Sequence, residues 1–257
     1  MTPIHHCMGT VVSLDLRVPA PDALVARAFA VFDDAEARFS PFRADSELSR
    51  VGRSELALAE ASTELREVLA IGEAFERASG GAFSLRHDGR LDANGVVKGW
   101  ATQRAADLLS DGGATDFCLN AGGDLVTRGA PAPRQRWQAG IRDPRDPAHL
   151  LGVMVLGEAA MATSGAYERG PHIFDGRSGE SARYWASITV VDPDLTVADV
   201  LATAVFAMGP AGPGWAHREF GCSVVAARPD GGIVVAGPVE WAESQVPQPA
   251  PTEASLS

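Results

Sequence analysis

Residues Ala198 to Gly209, ADVLATAVFAMG, are apolar on nearly every side. A helix of that kind is stable only where other elements surround it, so the rest of the chain has to be built around it. It nevertheless carries a carboxylate, Asp199, and a hydroxyl, Thr203, four positions apart. That spacing sets both oxygens on one face, near the start of a helix beginning around Thr196 or Val197. Two readings are open. Asp199 can be a helix cap or dipole partner while Thr203 bonds back to its own helix, and spacing alone favours this. Alternatively, the pair offers oxygen ligands that suit Mg²⁺ together with a backbone carbonyl and phosphate oxygens.

The chain has 257 residues, 46% of them hydrophobic, enough for one large domain or two closely packed lobes. Its net charge of −11, from 33 acidic and 22 basic residues, repels polyanions and disfavours nucleic-acid binding. The N-terminal MTPIHHCMGTVVSLDL lacks a basic stretch followed by an apolar run, and no uninterrupted apolar segment reaches membrane-spanning length. A soluble, cytoplasmic protein is the expectation. Cys7, Cys118 and Cys222 lie too far apart in sequence to suggest a disulfide framework or a CxxC metal site. Cys118 and Cys222 sit in apolar runs, where a thiol acts as a small hydrophobe.

Alternation over Gly9–Val18 predicts a half-buried strand with Val12, Leu14, Leu16 and Val18 on one face. Helical spacing follows in PDALVARAFAVFDDAEARF and in TELREVLAIGEAFERASGG, the second stopped by Gly80 and Gly81. DANGVVKGWATQRAADLLSDGG reads as a tight glycine turn feeding a helix. DFCLNAGGDLVTRG reads as a strand broken at Gly122 and Gly123, by a bulge or a close backbone approach. RWQAGIRDP, LGVMVLGEAAMATSG and YWASITVV supply further strands, and CSVVAARPDGGIVVAG a hairpin. Strands interleaved with helices predict an α+β fold over residues 1–244, followed by a disordered Pro-rich tail over 245–257.

Two further clusters offer chemistry. In HIFDGRSG, the residues His172, Asp175, Arg177 and Ser178 crowd a glycine turn able to hold an anion. In DANGVVKGW, glycines let the backbone approach a ligand, and Lys98 can meet phosphate. Neither a Walker A loop nor a dinucleotide-binding GxGxxG is present.

In chain order, MGTVVSLDL, FSPFRADSELSRV, SGGAFSL, DANGVVKGWATQRAADLL, NAGGDLVTRG, WQAGIRDP, ATSGAYERG, HIFDGRSGE, SITVV and ADVLATAVFAMG resemble the successive signatures of the FAD:protein FMN transferase family, the ApbE-like proteins. The resemblance implies an α+β, T-fold-like unit of two lobes with FAD in the cleft between them. It implies an Mg²⁺-dependent transfer of FMN from FAD to a Thr or Ser hydroxyl of a target protein, with release of AMP. An FAD pyrophosphatase giving FMN and AMP is the alternative within the family, and a non-catalytic flavin-binding protein is a third reading. By the same resemblance Asp199, Thr203 and the backbone carbonyl of Val97 hold the metal.

Phe42, Lys98, Trp100, Gln103, His172, Arg177 and Ser178 fall at FAD-contacting positions. His172 is divided between steadying the pyrophosphate or exchanging a proton with the attacking hydroxyl, and merely ordering its turn. Phe42 and Trp100 stand where the family has Tyr, Ser178 where it has Thr, and Gln103 where it has Asp. A carboxylate restored at 103 is therefore expected to tighten FAD binding. Between GAFSL and LDANG only RHDGR intervenes, where relatives carry a long stretch that helps to build the flavin pocket. The family's usual export signal is missing as well, so the chain is either a cytoplasmic member or a trimmed one.

Overall fold

The computed structural model describes residues 2–165 and 173–242. The chain opens with a hairpin of β1 (Ile4–Cys7) and β2 (Thr10–Leu16), turned by Met8 and Gly9 at positive φ. Val12 and Leu14 are fully buried as their alternation requires, whereas Val18 lies past the strand and is exposed. Helix α1 (Asp22–Phe39) buries Val25 and Phe32, and the short α2 (Glu47–Gly52) is capped by Ser46. Helix α3 (Thr63–Ala78) begins where the Ser62 hydroxyl accepts the Leu65 N–H at 3.2 Å, and buries Leu65, Val68, Leu69 and Phe75.

RHDGR closes on itself as a minimal hairpin, β3 (Arg86–His87) and β4 (Arg90–Leu91), with Asp88 and Gly89 at positive φ as a two-residue turn demands. Helix α4 (Asn94–Asp111) starts earlier than a preceding glycine turn would allow, since Gly95 lies inside its first turn. Glycine is needed there for space: a Cβ would come 2.9 Å from the Phe83 ring. Strands β5 (Phe117–Ala121) and β6 (Asp124–Arg128) form a tight hairpin, with Gly122 and Gly123 at φ of 64° and 102° making the turn in place of a bulge.

A long hairpin follows, β7 (Trp137–Asp143) and β8 (Asp146–Leu156), and then β9 (Ala160–Gly165) and β10 (Ser187–Asp192). Helices α5 (Leu195–Met208) and α6 (Gly212–Phe220) lead to the final hairpin, β11 (Ser223–Ala227) and β12 (Ile233–Ala236). The tail expected to be disordered, 245–257, lies outside the described residues.

Eight strands form one antiparallel sheet in the order β1-β2-β5-β6-β9-β10-β11-β12. Among the described residues the helices come from two crossovers, α1 to α4 between β2 and β5 and α5 to α6 between β10 and β11. Alternation separates the two faces of the sheet. Val126, Ala160, Ala162, Val224 and Ala226 join the main core with the helices, while Leu125, Met161 and Val225 join a smaller core with Trp137, Ile141 and Met154 of the β7–β8 hairpin. The fold is therefore α+β in three layers, with α4 and α5 packed together on the sheet. The stretch Leu195–Phe220 is long and apolar enough to cross a bilayer, but 72% of its most apolar window is buried inside the fold, which makes it the core.

Candidate functional site

The site is built on the contact between α4 and α5. At Gly99 a Cβ would lie 2.6 Å from the Leu195 carbonyl oxygen and 2.7 Å from the Asp199 Cβ, so only glycine permits this approach. The Gly99 N–H donates to Asp199 Oδ2 at 2.8 Å. Asp199 is not the helix cap. Asp194 takes that role, accepting from Thr196 N at 2.6 Å and Val197 N at 3.3 Å, and α5 begins at Leu195. Asp199 sits inside the helix at 3% exposure, where an uncompensated carboxylate costs several kcal/mol or more.

Lys98 compensates it. Its ammonium lies 3.4 Å from Asp199 Oδ1 and in direct contact with Asp124, the first residue of β6. Asp124 is itself buried, and its other oxygen accepts the Thr163 N–H at 2.9 Å. Two buried carboxylates thus meet at one ammonium. Burial pushes the Asp199 carboxyl above the usual carboxylate range; the Lys98 charge and the Gly99 N–H pull against the rise, and Asp124 adds to it. One turn beyond Asp199, the Thr203 hydroxyl lies 3.3 Å from that of Ser164 at the end of β9. Asp124 and Ser164 are absent from the sequence reading. The trace of Asp124 in the sequence is a carboxylate placed between a glycine pair and an apolar run.

Lys98 also lines a cavity of about 390 Å³, a size in the range of small-molecule sites. Met8, Gly9 and Thr10 of the first hairpin, Glu36 and Phe39 of α1, and Asn94 and Val97 of α4 form its walls. The Phe42 ring stands at its edge, 91% exposed. A large apolar ring left in water beside a cavity is available for stacking on a ligand.

Trp100 and Gln103, expected as flavin contacts, do not line this cavity. Trp100 is buried edge-on against Phe39 at 5.5 Å, and its indole N–H donates to Glu67 at 3.0 Å. Gln103 accepts the Leu195 N–H at 2.9 Å, which ties α4 to the start of α5, and its amide nitrogen donates to Asp107 one turn along α4 at 2.8 Å. A carboxylate at this position would be a methylene shorter and would face Asp107 with like charge. Gln103→Asp is therefore expected to lower stability by about 1–3 kcal/mol, the cost of a buried hydrogen bond left unmade, and to leave FAD affinity no tighter. Thermal unfolding and flavin fluorescence titration check both halves, and tighter FAD binding would return the residue to the ligand.

The DGRSG turn docks on the loop after α3, with Gly176 N–H donating to the Ala82 carbonyl at 2.9 Å. A Cβ on Gly176 would lie 2.4 Å from the Gly81 carbonyl oxygen. Arg177 makes a two-pronged pair with Asp175 at 2.8 and 2.7 Å, which holds Asp175 below the usual carboxylate range. The Ser178 hydroxyl accepts the Glu180 N–H at 3.2 Å. Both side chains are engaged within the turn, and about half of Arg177 stays exposed. His172 lies outside the described residues. Phe174 stacks on His87 at 3.9 Å, so the RHDGR hairpin is packed against this same turn.

Comparison with known proteins gives the same answer at the level of family. The model of the ApbE family matches residues 8–88 and 84–225, two segments that meet at the RHDGR hairpin. The FAD:protein FMN transferase of Vibrio cholerae is 30% identical over 129 residues, 46% of this chain and 39% of that protein. That of Treponema pallidum is 30% identical over 138 residues, 47% of this chain and 38% of that protein. The aligned part is thus about two fifths of these relatives' own length. Among solved structures, the flavin transferase ApbE from Vibrio cholerae superposes with a TM-score of 0.78 at 20% identity, over 93% of this chain and 96% of that one. The ApbE protein from Thermotoga maritima gives 0.79 at 22% identity, over 92% and 96%. At these identities the structures show a shared fold, and the family match, which covers most of the sequence, carries the assignment: the chain belongs to the ApbE family.

Proposed function

We propose that this protein is an Mg²⁺-dependent FAD:protein FMN transferase, moving FMN from FAD to a Thr or Ser hydroxyl of an acceptor protein and releasing AMP. The observation that carries the reading is the Lys98 ammonium, which lines the cavity while contacting both Asp199 and Asp124. A ligand in the cavity would meet that charge and, behind it, a set of hard oxygen donors. The names of the curated relatives, FAD:protein FMN transferase, supply the substrate and the transferred group.

The donor set fits a small hard cation. Asp199 and Thr203 offer a carboxylate and a hydroxyl on one face of α5, and Val97 lies beside Lys98 at the cavity wall. A buried carboxylate held above its ordinary range is one whose charged form a cation restores. When bound, Mg²⁺ would neutralise charge on the pyrophosphate oxygens and the leaving AMP.

The chain's own residues bind and orient. Phe42 offers its exposed ring for stacking, Lys98 attracts a phosphate, and Asp124 fixes Lys98 in place. The acceptor hydroxyl attacks the phosphorus of the FMN moiety. The bond to the bridging oxygen breaks, AMP leaves with that oxygen, and the hydroxyl proton is lost to a base or to solvent. Arg177 and Ser178 are engaged within their own turn, and Arg177 could reach an anion only by loosening its pair with Asp175.

The test is incubation with FAD, a protein extract as the source of acceptor, and Mg²⁺ present or chelated. AMP release that depends on Mg²⁺, with flavin fluorescence retained on a denaturing gel, is the expected result. Free FMN and AMP with no protein-bound flavin would make the enzyme a pyrophosphatase. FAD bound but never consumed would leave a flavin-binding protein.

A further inference from the structure

On the far side of the cavity wall, two periodicities bring metal-binding side chains together. His5 and Cys7 are two apart on β1 and share a face, and Asp33 and Glu36 are three apart on α1 and share another. The faces meet. His5 Nε2 lies 2.8 Å from Asp33 Oδ1, and the Cys7 thiol donates to Glu36 Oε2 at 2.9 Å. One ligand atom each from His5, Cys7 and Asp33 all fall within 4.8 Å of one another.

We infer that His5, Cys7 and Asp33 form a second metal site, for a zinc-class divalent ion, which clips the first hairpin to α1 beside the cavity. The donor set chooses the ion. Imidazole nitrogen, thiolate sulfur and carboxylate oxygen are the ligands of tetrahedral Zn²⁺, whereas Mg²⁺ requires an all-oxygen octahedron. Tetrahedral bonds of about 2.0–2.3 Å leave neighbouring ligand atoms about 3.3–3.8 Å apart, so small side-chain rotations from the present spacing close the site.

Three protein ligands leave a fourth position for water, and exposure of the Asp33 side chain at 58% provides the way in. The surroundings agree. The His5 ring is stacked on Phe29 at 5.2 Å, which fixes its plane, and Glu36 stands ready to accept a hydrogen bond from the bound water. Binding forms the metal–sulfur bond and releases the thiol proton to solvent, with no change of oxidation state.

The link to the cavity is Glu36. It lines the cavity, accepts the Met8 N–H at 3.1 Å, and touches the Cys7 thiol. An ion that takes the thiolate frees Glu36 from the thiol and fixes the Met8–Gly9 turn from behind. This site is independent of the flavin reading, and it stands or falls on its own experiment.

The probe is Co²⁺, added to the chelator-treated full chain. A near-ultraviolet thiolate-to-cobalt band with visible tetrahedral bands, both abolished by added Zn²⁺, is expected. Cys7→Ser should remove the thiolate band. Asp33→Asn, changed at a mostly exposed side chain and so without harm to the core, should weaken Zn²⁺ binding by more than roughly tenfold. Asp199→Asn should leave the band intact. No thiolate band in the wild-type chain, its survival in Cys7→Ser, or unchanged Zn²⁺ affinity in Asp33→Asn would overturn the proposal and leave a hydrogen-bonded latch.

Discussion

Asn in place of Asp199 is expected to reduce Mg²⁺-dependent AMP release from FAD by at least roughly 100-fold, the upper end of what is lost with a mere outer-shell partner of a metal. The chain should remain folded. The amide has nearly the shape of the carboxylate, and its oxygen can still accept the Gly99 N–H that Asp199 Oδ2 accepts at 2.8 Å. What changes is the other atom. An NH₂ group would face the Lys98 ammonium, now 3.4 Å from Asp199 Oδ1, so a donor meets a donor and one of the two charges facing Lys98 is lost. Lys98 keeps Asp124, which limits the cost in stability. Measuring AMP release against Mg²⁺ concentration, with thermal unfolding alongside, separates the effects. Wild-type turnover at limiting Mg²⁺ would remove Asp199 from the metal site.

What the sequence disclosed depended on how local the cause was. The central place of α5 was legible because a helix apolar on all sides has only one environment open to it, and the Asp199–Thr203 pair was legible because i, i+4 fixes a face. Asp124 was not, since its partner Lys98 lies 26 residues away and the pairing exists only once β6 lies beside α4. Gln103 and Trp100 show a different limit. Their place in the sequence does not say which neighbour each side chain meets, and here the amide reaches the start of α5 while the indole packs on Phe39. The glycines were legible as glycines but not as to purpose. Gly122 and Gly123 supply positive φ to a turn, whereas Gly95 and Gly99 supply room inside a helix, and the letter is the same. Strand β1, four residues long with two histidines, offered no hydrophobic alternation to read.

Gly99→Ala is expected to damage both the fold and the site. Alanine ordinarily stabilises a helix interior relative to glycine by roughly 0.5–1 kcal/mol, and Gly99 has no positive φ to forbid it. The added methyl would nevertheless sit 2.6 Å from the Leu195 carbonyl oxygen and 2.7 Å from the Asp199 Cβ. The first is backbone and the second is the root of a side chain, so neither can swing aside and the two helices must part. Overpacking of this kind costs about 1–3 kcal/mol, occasionally more, and outweighs the gain in propensity. At roughly 2–4 °C per kcal/mol for a chain of this size, the melting temperature should fall by several degrees. Turnover should fall further than stability explains, because the same displacement stretches the Gly99 N–H bond to Asp199 and shifts that carboxylate relative to Lys98. Gly157→Ala is the control: its φ is not positive and no atom lies within 4 Å of the new methyl, so both quantities should stay at wild-type values. If Gly99→Ala melts and turns over like the wild type, close approach of α4 and α5 is not what holds Asp199 in place.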